Sequence, residues 1–222
     1  MTGNPTLDAA LDWLVALWAR AVDIWLDGGW AMLAIAGIAL VMFAMGMHIR
    51  FQLSDKGFRS VKESTWRRWI DHPDERRGPI GDMLEFVTGG ETLEDTATFF
   101  QELRVSETAP LERDLKVMRI CVSTAPLVGL LGTVTGMLST FGALSTGGGG
   151  DQTMGMVASG ISEALITTET GLVIAIPGLF FQYQLQRQYE RYKAFLAHLE
   201  TVCTQSDFRR LRRAEAAGAR AA

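Results

Sequence analysis

Apolar and polar positions along this chain fall into long blocks rather than short periods. Residues 28–47 carry no charge, residues 120–150 carry none, and a third apolar block runs from Gln152 to Gln186, interrupted only by Glu163 and Glu169. A helix rises about 1.5 Å per residue and needs about 20 apolar residues to cross a ~30 Å hydrocarbon core, so each block is long enough to span a membrane. A chain of 222 residues has too little surface to bury three such blocks as soluble core helices. The pattern predicts an all-α membrane protein with three transmembrane helices, over 29–47, 118–145 and 153–183, carrying long cytoplasmic helical extensions.

The intervening segments follow from finer patterns. Leu7, Leu11, Leu14, Trp18, Val22 and Trp25 share one helical face. Trp13, Trp18, Trp25 and Trp30 crowd the approach to the first span, as tryptophans do at headgroup level. Residues 1–28 are therefore expected to form an amphipathic helix in the periplasmic interface, the alternative being an extension of the first span. Region 48–117 is mostly polar. Pro73, Gly78-Pro79 and Gly89-Gly90 break it into short helices near 56–70, 80–88 and 92–106. Pro110 suits the first turn of a further helix that runs through Glu112, Asp114 and Lys116 into the second span. Loop 146–152 is a glycine-rich turn. Pro177 lies inside the third span and frees a carbonyl one turn earlier, which predicts a kink. Gln186, Arg187, Glu190, Arg191 and Lys193 are good helix formers, so 184–222 reads as a helical cytoplasmic tail.

Charge adds orientation. Of 21 Lys and Arg, only Arg20 precedes the first span, and the rest fall in 48–119 or 187–220. Basic residues stay on the cytoplasmic side, so the N-terminus and loop 146–152 are expected in the periplasm and the C-terminus in the cytoplasm. The basic tail around Arg209, Arg210, Arg212 and Arg213 suits anionic lipid headgroups or a solvated end. Asp8, Asp12, Asp23 and Asp27 against one arginine give no cleavable leader. Cys121 and Cys203 fall toward the reducing side, so no disulfide is expected. The cysteines and histidines lack metal-ligand spacing, and no enzyme motif appears. The arginines of 50–77 are explained by juxtamembrane charge without nucleic acid.

The candidate chemistry lies inside the spans. Gly129, Gly132, Gly136, Ser139 and Ala143 share one face, and small residues at this spacing let helices approach closely. Thr133 sits near the middle of the second span and Thr168 near the middle of the third, so in antiparallel helices their hydroxyls meet at one depth. With Thr167 and Thr170 they offer a polar constriction for ions, the plainer alternative being hydroxyls bonded back to their own helices. Glu163 and Glu169 are costly at mid-span, where insertion scales charge about 2.5–3.5 kcal/mol for Asp, Lys or Arg, and such residues face a cavity or a bundle interior. Six residues apart, they stand about 240° around the helix from each other and cannot point the same way. Glu163 shares its face with Thr167 and Thr170, and Glu169 shares its own with Ser162 and Leu165.

Two segments, Ser123-Thr-Ala-Pro-Leu-Val-Gly-Leu-Leu-Gly-Thr133-Val and Glu163-Ala-Leu-Ile-Thr-Thr168-x-x-Gly171-Leu-Val-x-Ala-Ile-Pro177, resemble the ExbB/TolQ/MotA proton-channel family of bacterial inner-membrane motors. Three spans with a periplasmic N-terminus look like the ExbB/TolQ branch, since the flagellar branch has four. The resemblance covers roughly 105–200 and implies that Thr133, Thr168 and Glu163 are pore-lining. It implies a homo-oligomer, a pentamer, around single-span ExbD/TolR-like partners that each bring a transmembrane Asp. Proton flow then drives work on a TonB- or TolA-like protein for outer-membrane transport. It also implies that the small-residue face packs subunit against subunit. Glu169 departs from the family, where a small apolar residue is usual, and admits Na⁺ as the alternative ion. The expected function is a proton-channel stator subunit with no cofactor beyond the translocated ion. The alternatives are a Tol-Pal-like or Na⁺-driven stator subunit, or a structural membrane scaffold.

Overall fold

The computed structural model describes Trp13, Ala16, Val22, Trp25 and residues 28–58, 61–88, 92–146 and 150–221. Every regular element among them is helical: α1 (Gly29–Asp55), α2 (Glu63–Asp71), a 3₁₀ turn (Pro73–Glu75), α3 (Gly78–Val87), α4 (Leu93–Thr146) and α5 (Asp151–Ala221). Three of these, α1, α4 and α5, contain stretches long and apolar enough to cross a membrane. The amphipathic-helix expectation lies largely outside the described residues, although Trp13, Ala16, Val22 and Trp25 are helical and exposed. Residues 147–149 of the expected turn also lie outside them.

The chain divides into two units, one built from 1–43 and 119–180, the other from 44–118 and 181–222. In the first, α4 and α5 pack antiparallel with α1 alongside. The register is fixed by small residues. Gly171 abuts the Ala125 carbonyl, Gly129 abuts Thr167 and Thr168, and Gly136 abuts Gly160 and Ala164. Glycine is required at such points because a Cβ at Gly136 would lie 2.7 Å from the Gly160 carbonyl oxygen. The small-residue face, expected between subunits, is therefore engaged inside the chain. Spacing reports how closely two helices approach but not which helix is the neighbour. Along α1, Gly28 meets Ile166 and Met42 meets Gly178, so α1 runs parallel to α5.

The second unit is built on buried apolar seams. Leu185, Tyr189, Tyr192, Leu196, Leu199 and Cys203 recur at alternating steps of four and three and are all buried. Phe100, Leu103, Leu111, Leu115 and Met118 are the buried row of α4. Seven-residue repeats of this kind place one apolar seam along each helix. Trp66, Ile70, Ile80, Leu84 and Val87 from α2 and α3 complete the core. Trp66 meets Phe195 and His198 edge-on, at centroid distances of 6.1 and 5.6 Å. Glu107 accepts a hydrogen bond from the Tyr192 hydroxyl at 2.6 Å and an ion pair from Lys56 at 2.5 Å. Burial and that carboxylate push the Tyr192 phenol well above its ordinary range, so it stays a donor. Both cysteines are free, and burial pushes the Cys203 thiol up to about 12.

The first helix continues past the expected span to Asp55, in keeping with a helical extension. One expectation about helix ends is corrected here. No helix ends near 106 or begins at Pro110, because α4 is one helix from Leu93 to Thr146. It starts with a reciprocal cap in which Thr92 and Asp95 exchange side-chain-to-backbone bonds of 3.1 and 3.0 Å. Pro110 removes one ladder donor, opposite Ser106. The buried row on either side, Leu103 and Leu111, carries the helix through that loss. Likewise α5 continues through Pro177.

Candidate ion pathway

The threonines of the two central helices are placed by the glycine register. Gly132 has no side chain, so the fully buried Thr167 packs directly onto it. Thr167 donates to the Ala164 carbonyl of its own helix at 3.0 Å and reaches the Gly129 carbonyl at 3.5 Å. Thr168, half-buried one position on, donates across the interface to the same Gly129 oxygen at 3.0 Å. In an α-helix that oxygen also accepts the backbone N–H four residues on, which is Thr133. Gly129 is thus the point where α4 and α5 exchange polar contacts.

Thr133 is half-buried, and its hydroxyl donates to Leu130 of its own helix at 2.7 Å. Thr170 does the same to Ile166 at 2.8 Å, and Thr140 to Gly136 at 2.9 Å. The back-bonding alternative therefore describes Thr133 and Thr170, whereas Thr168 bonds across to α4. A hydroxyl that donates in this way keeps its lone pairs as acceptors. Thr133 and Thr168 can therefore still receive a hydrogen bond from a protonated group or a water.

The two glutamates part company, as their rotation requires. Glu163 is half-buried, and its carboxyl lies directly over the Cα of Gly29, at the first residue of α1. Gly29 has φ +61°, a left-handed conformation that glycine adopts without strain. The carboxyl therefore occupies space that any side chain at residue 29 would fill. Glu163 is accordingly not joined by hydrogen bonds to Thr133 or Thr168. Glu169 is exposed. Sequence reasoning named the carboxylates and hydroxyls but missed Gly28-Gly29, whose paired glycines at the start of a span were the available signal.

Among the described residues no cluster of His, Cys, Asp or Glu is suited to hold a metal ion. The arrangement is one of mid-span hydroxyls, one interhelical carbonyl node and two separated carboxyls.

Comparison with known proteins gives this arrangement a setting. Residues 81–197 match the family model described as the MotA/TolQ/ExbB proton channel family. An ExbB-like biopolymer transport protein of Synechocystis sp. is 43% identical over 93 residues, covering 41% of this chain and 37% of that protein. The biopolymer transport protein ExbB of Xanthomonas campestris is 34% identical over 110 residues, covering 49% of this chain and 41% of its own length. The Tol-Pal system protein TolQ of Haemophilus influenzae is 44% identical over 73 residues, covering 33% of this chain and 31% of its own. The chain thus spans well under half the length of these relatives.

Proposed function

The chain belongs to the MotA/TolQ/ExbB proton channel family, and on that premise we propose that it is the multi-copy, proton-conducting subunit of an ExbB/TolQ-type motor. Family membership makes it a channel or stator subunit and not an enzyme, and makes it a multi-pass protein of the bacterial inner membrane. In this reading the N-terminus is periplasmic, and copies of the chain, five by resemblance, ring the single transmembrane helices of two ExbD/TolR-like partners, each bearing an Asp. The proton on that Asp passes the depth of Thr133 and Thr168, whose free lone pairs accept from it. Flow turns the ring relative to its partner, which acts on a TonB- or TolA-like protein.

The observation that carries the reading is the node at Gly129. Thr168 makes the shorter of two hydroxyl bonds that cross from one central helix to the other, at the depth where the sequence places the constriction. A pathway needs a polar group fixed rigidly in an apolar wall. A threonine held at 3.0 Å by a neighbouring helix is fixed in that way. The chain offers no Asp at that depth, so a proton-carrying carboxyl on a partner helix complements it.

Affinity purification in mild detergent followed by native mass spectrometry tests the assembly. The expected result is a multimer with a co-purifying single-span protein that carries a transmembrane Asp. A chain that runs alone as monomer or dimer in every detergent would overturn the reading. The self-bonded hydroxyls of Thr133 and Thr170 favour a second reading, a structural scaffold in which threonines serve packing alone. A scaffold would assemble and leave ion flux unaffected when the Thr168 hydroxyl is removed.

A further inference from the structure

Glu169 stands on the face of α5 that the chain itself leaves uncovered. Ser162, Leu165, Leu172, Val173 and Ile176 share that exposure. Its carboxyl has no hydrogen-bond or ion-pair partner among the described residues. The other ionisable side chains described in this unit are Arg119, Cys121, Asp151 and Glu163, and none of them bonds to it. It is also deep. The register puts the neighbouring Thr168 opposite Gly129, near the middle of both spans.

A carboxylate facing lipid at that depth costs about 2.5–3.5 kcal/mol if it behaves as Asp does on insertion scales, so such groups face a bundle interior or a water-filled cavity. The chain itself leaves most of each span uncovered, and lipid can cover the apolar side chains there but not a carboxylate, so other chains or water must meet Glu169. At this depth the outward side chains of α4 are Leu127, Leu130 and Leu131, all apolar. The α4 face of a second copy therefore brings no cation to neutralise Glu169 at this depth. The carboxyl is left to hold a proton or to face water. A metal cation takes several oxygen ligands, and this carboxyl has no second one hydrogen-bonded beside it.

We propose that Glu169 is a second proton-binding carboxyl of the conduit, facing a water-containing interior enclosed by copies of this chain, at the depth of Thr168 but about 100° around α5 from it. This rests on the channel reading above and adds a titrating group of the chain's own to the carboxyl supplied by a partner. Glu163, held over Gly29 at the start of α1, does not share that role.

A carbodiimide that reacts with protonated carboxyls in apolar surroundings is the probe, applied to bacterial membranes containing the full-length chain. Peptide mass spectrometry should find Glu169 modified, with labelling that falls as pH rises and is equal in sodium and potassium salts. In liposomes holding the complex, Glu169→Gln should lower proton flux by about 10²-fold, as loss of a positioned proton-transfer group does. Glu169→Asp should keep the flux and move its pH midpoint. An unlabelled Glu169 across the pH range in which the complex stays assembled would overturn the proposal. So would protection by sodium alone, or wild-type flux and pH profile in Glu169→Gln. Should Glu169→Gln fail to assemble, labelling of the wild-type chain decides. If the wild-type complex conducts no ions, the channel reading fails by itself. If it conducts and Glu169→Gln matches it, only the present proposal fails.

Discussion

Replacing Gly129 by alanine adds one methyl group where backbone stands in the way. The new Cβ would lie 2.8 Å from the Thr167 carbonyl oxygen and 3.1 Å from the Thr168 Cα. Contacts of this kind become ordinary only from 3.4 Å, so α5 must retreat by about 0.6 Å. Neither neighbour is a flexible side-chain end that can swing aside. Overpacking of this type costs about 1–3 kcal/mol. Retreat also stretches the 3.0 Å bond from Thr168 to Gly129. Interhelical side-chain bonds in membranes are worth about 0.6 kcal/mol on average. Alanine improves helix propensity by up to about 1 kcal/mol, which offsets part of the loss. The net expectation is a destabilisation of about 0.5–2.5 kcal/mol. Reversible unfolding in mixed micelles measures it, with Gly37→Ala as the control, since a Cβ there meets nothing within 4 Å. Equal stability of the two variants would refute the register and the node built on it.

Further expectations follow from the same contacts. Gly29→Ala should destabilise the start of α1 by about 1–2 kcal/mol for the left-handed backbone alone, and more from displacing Glu163. Unfolding of Gly29→Ala beside Glu163→Gln separates the two parts, because the second variant leaves the strain absent. Tyr192→Phe should cost about 0.5–1.5 kcal/mol, and a double-mutant cycle with Glu107→Gln should show coupling between them. The Glu63 carboxyl is held below its ordinary value by a hydrogen bond from His198 and then one from Arg67. Its contribution should be complete above pH 4.5 and vanish as pH falls through the lowered value. Unfolding of wild type and Glu63→Gln should therefore differ above pH 4.5 and converge in acid.

The three spans were legible because uncharged blocks of that length have one economical solution in a membrane. The common depth of the central threonines was legible too, since antiparallel helices of similar length align their midpoints. The small-residue face was seen, but its partner was assigned to another subunit. In one chain the same spacing serves the α4–α5 contact, through Gly129, Gly132 and Gly136. The opposed directions of Glu163 and Glu169 followed from helical rotation. Which of them turned inward depended on α1, whose Gly29 leaves room for a carboxyl. The unbroken course of α4 was hidden by Pro110, since local proline chemistry argues for a helix start there. The buried row through Leu103, Leu111 and Leu115 outweighs one lost hydrogen bond. The two-helix insert of α2 and α3 was visible as punctuation, but its docking through Trp66, Ile70 and Leu84 was not. That pairing joins residues more than a hundred positions apart, as the contact of Trp66 with Phe195 shows.

The central claim is that the Thr168 hydroxyl belongs to a conducting path and not merely to helix packing. Thr168→Val keeps the side-chain shape and removes the oxygen that bonds to Gly129 at 3.0 Å. The decisive measurement is proton flux through the reconstituted complex carrying this substitution, with its oligomer mass determined in the same preparation. A complex of wild-type mass whose flux has collapsed is the predicted result. A complex of wild-type mass that conducts as the wild type does would contradict the account.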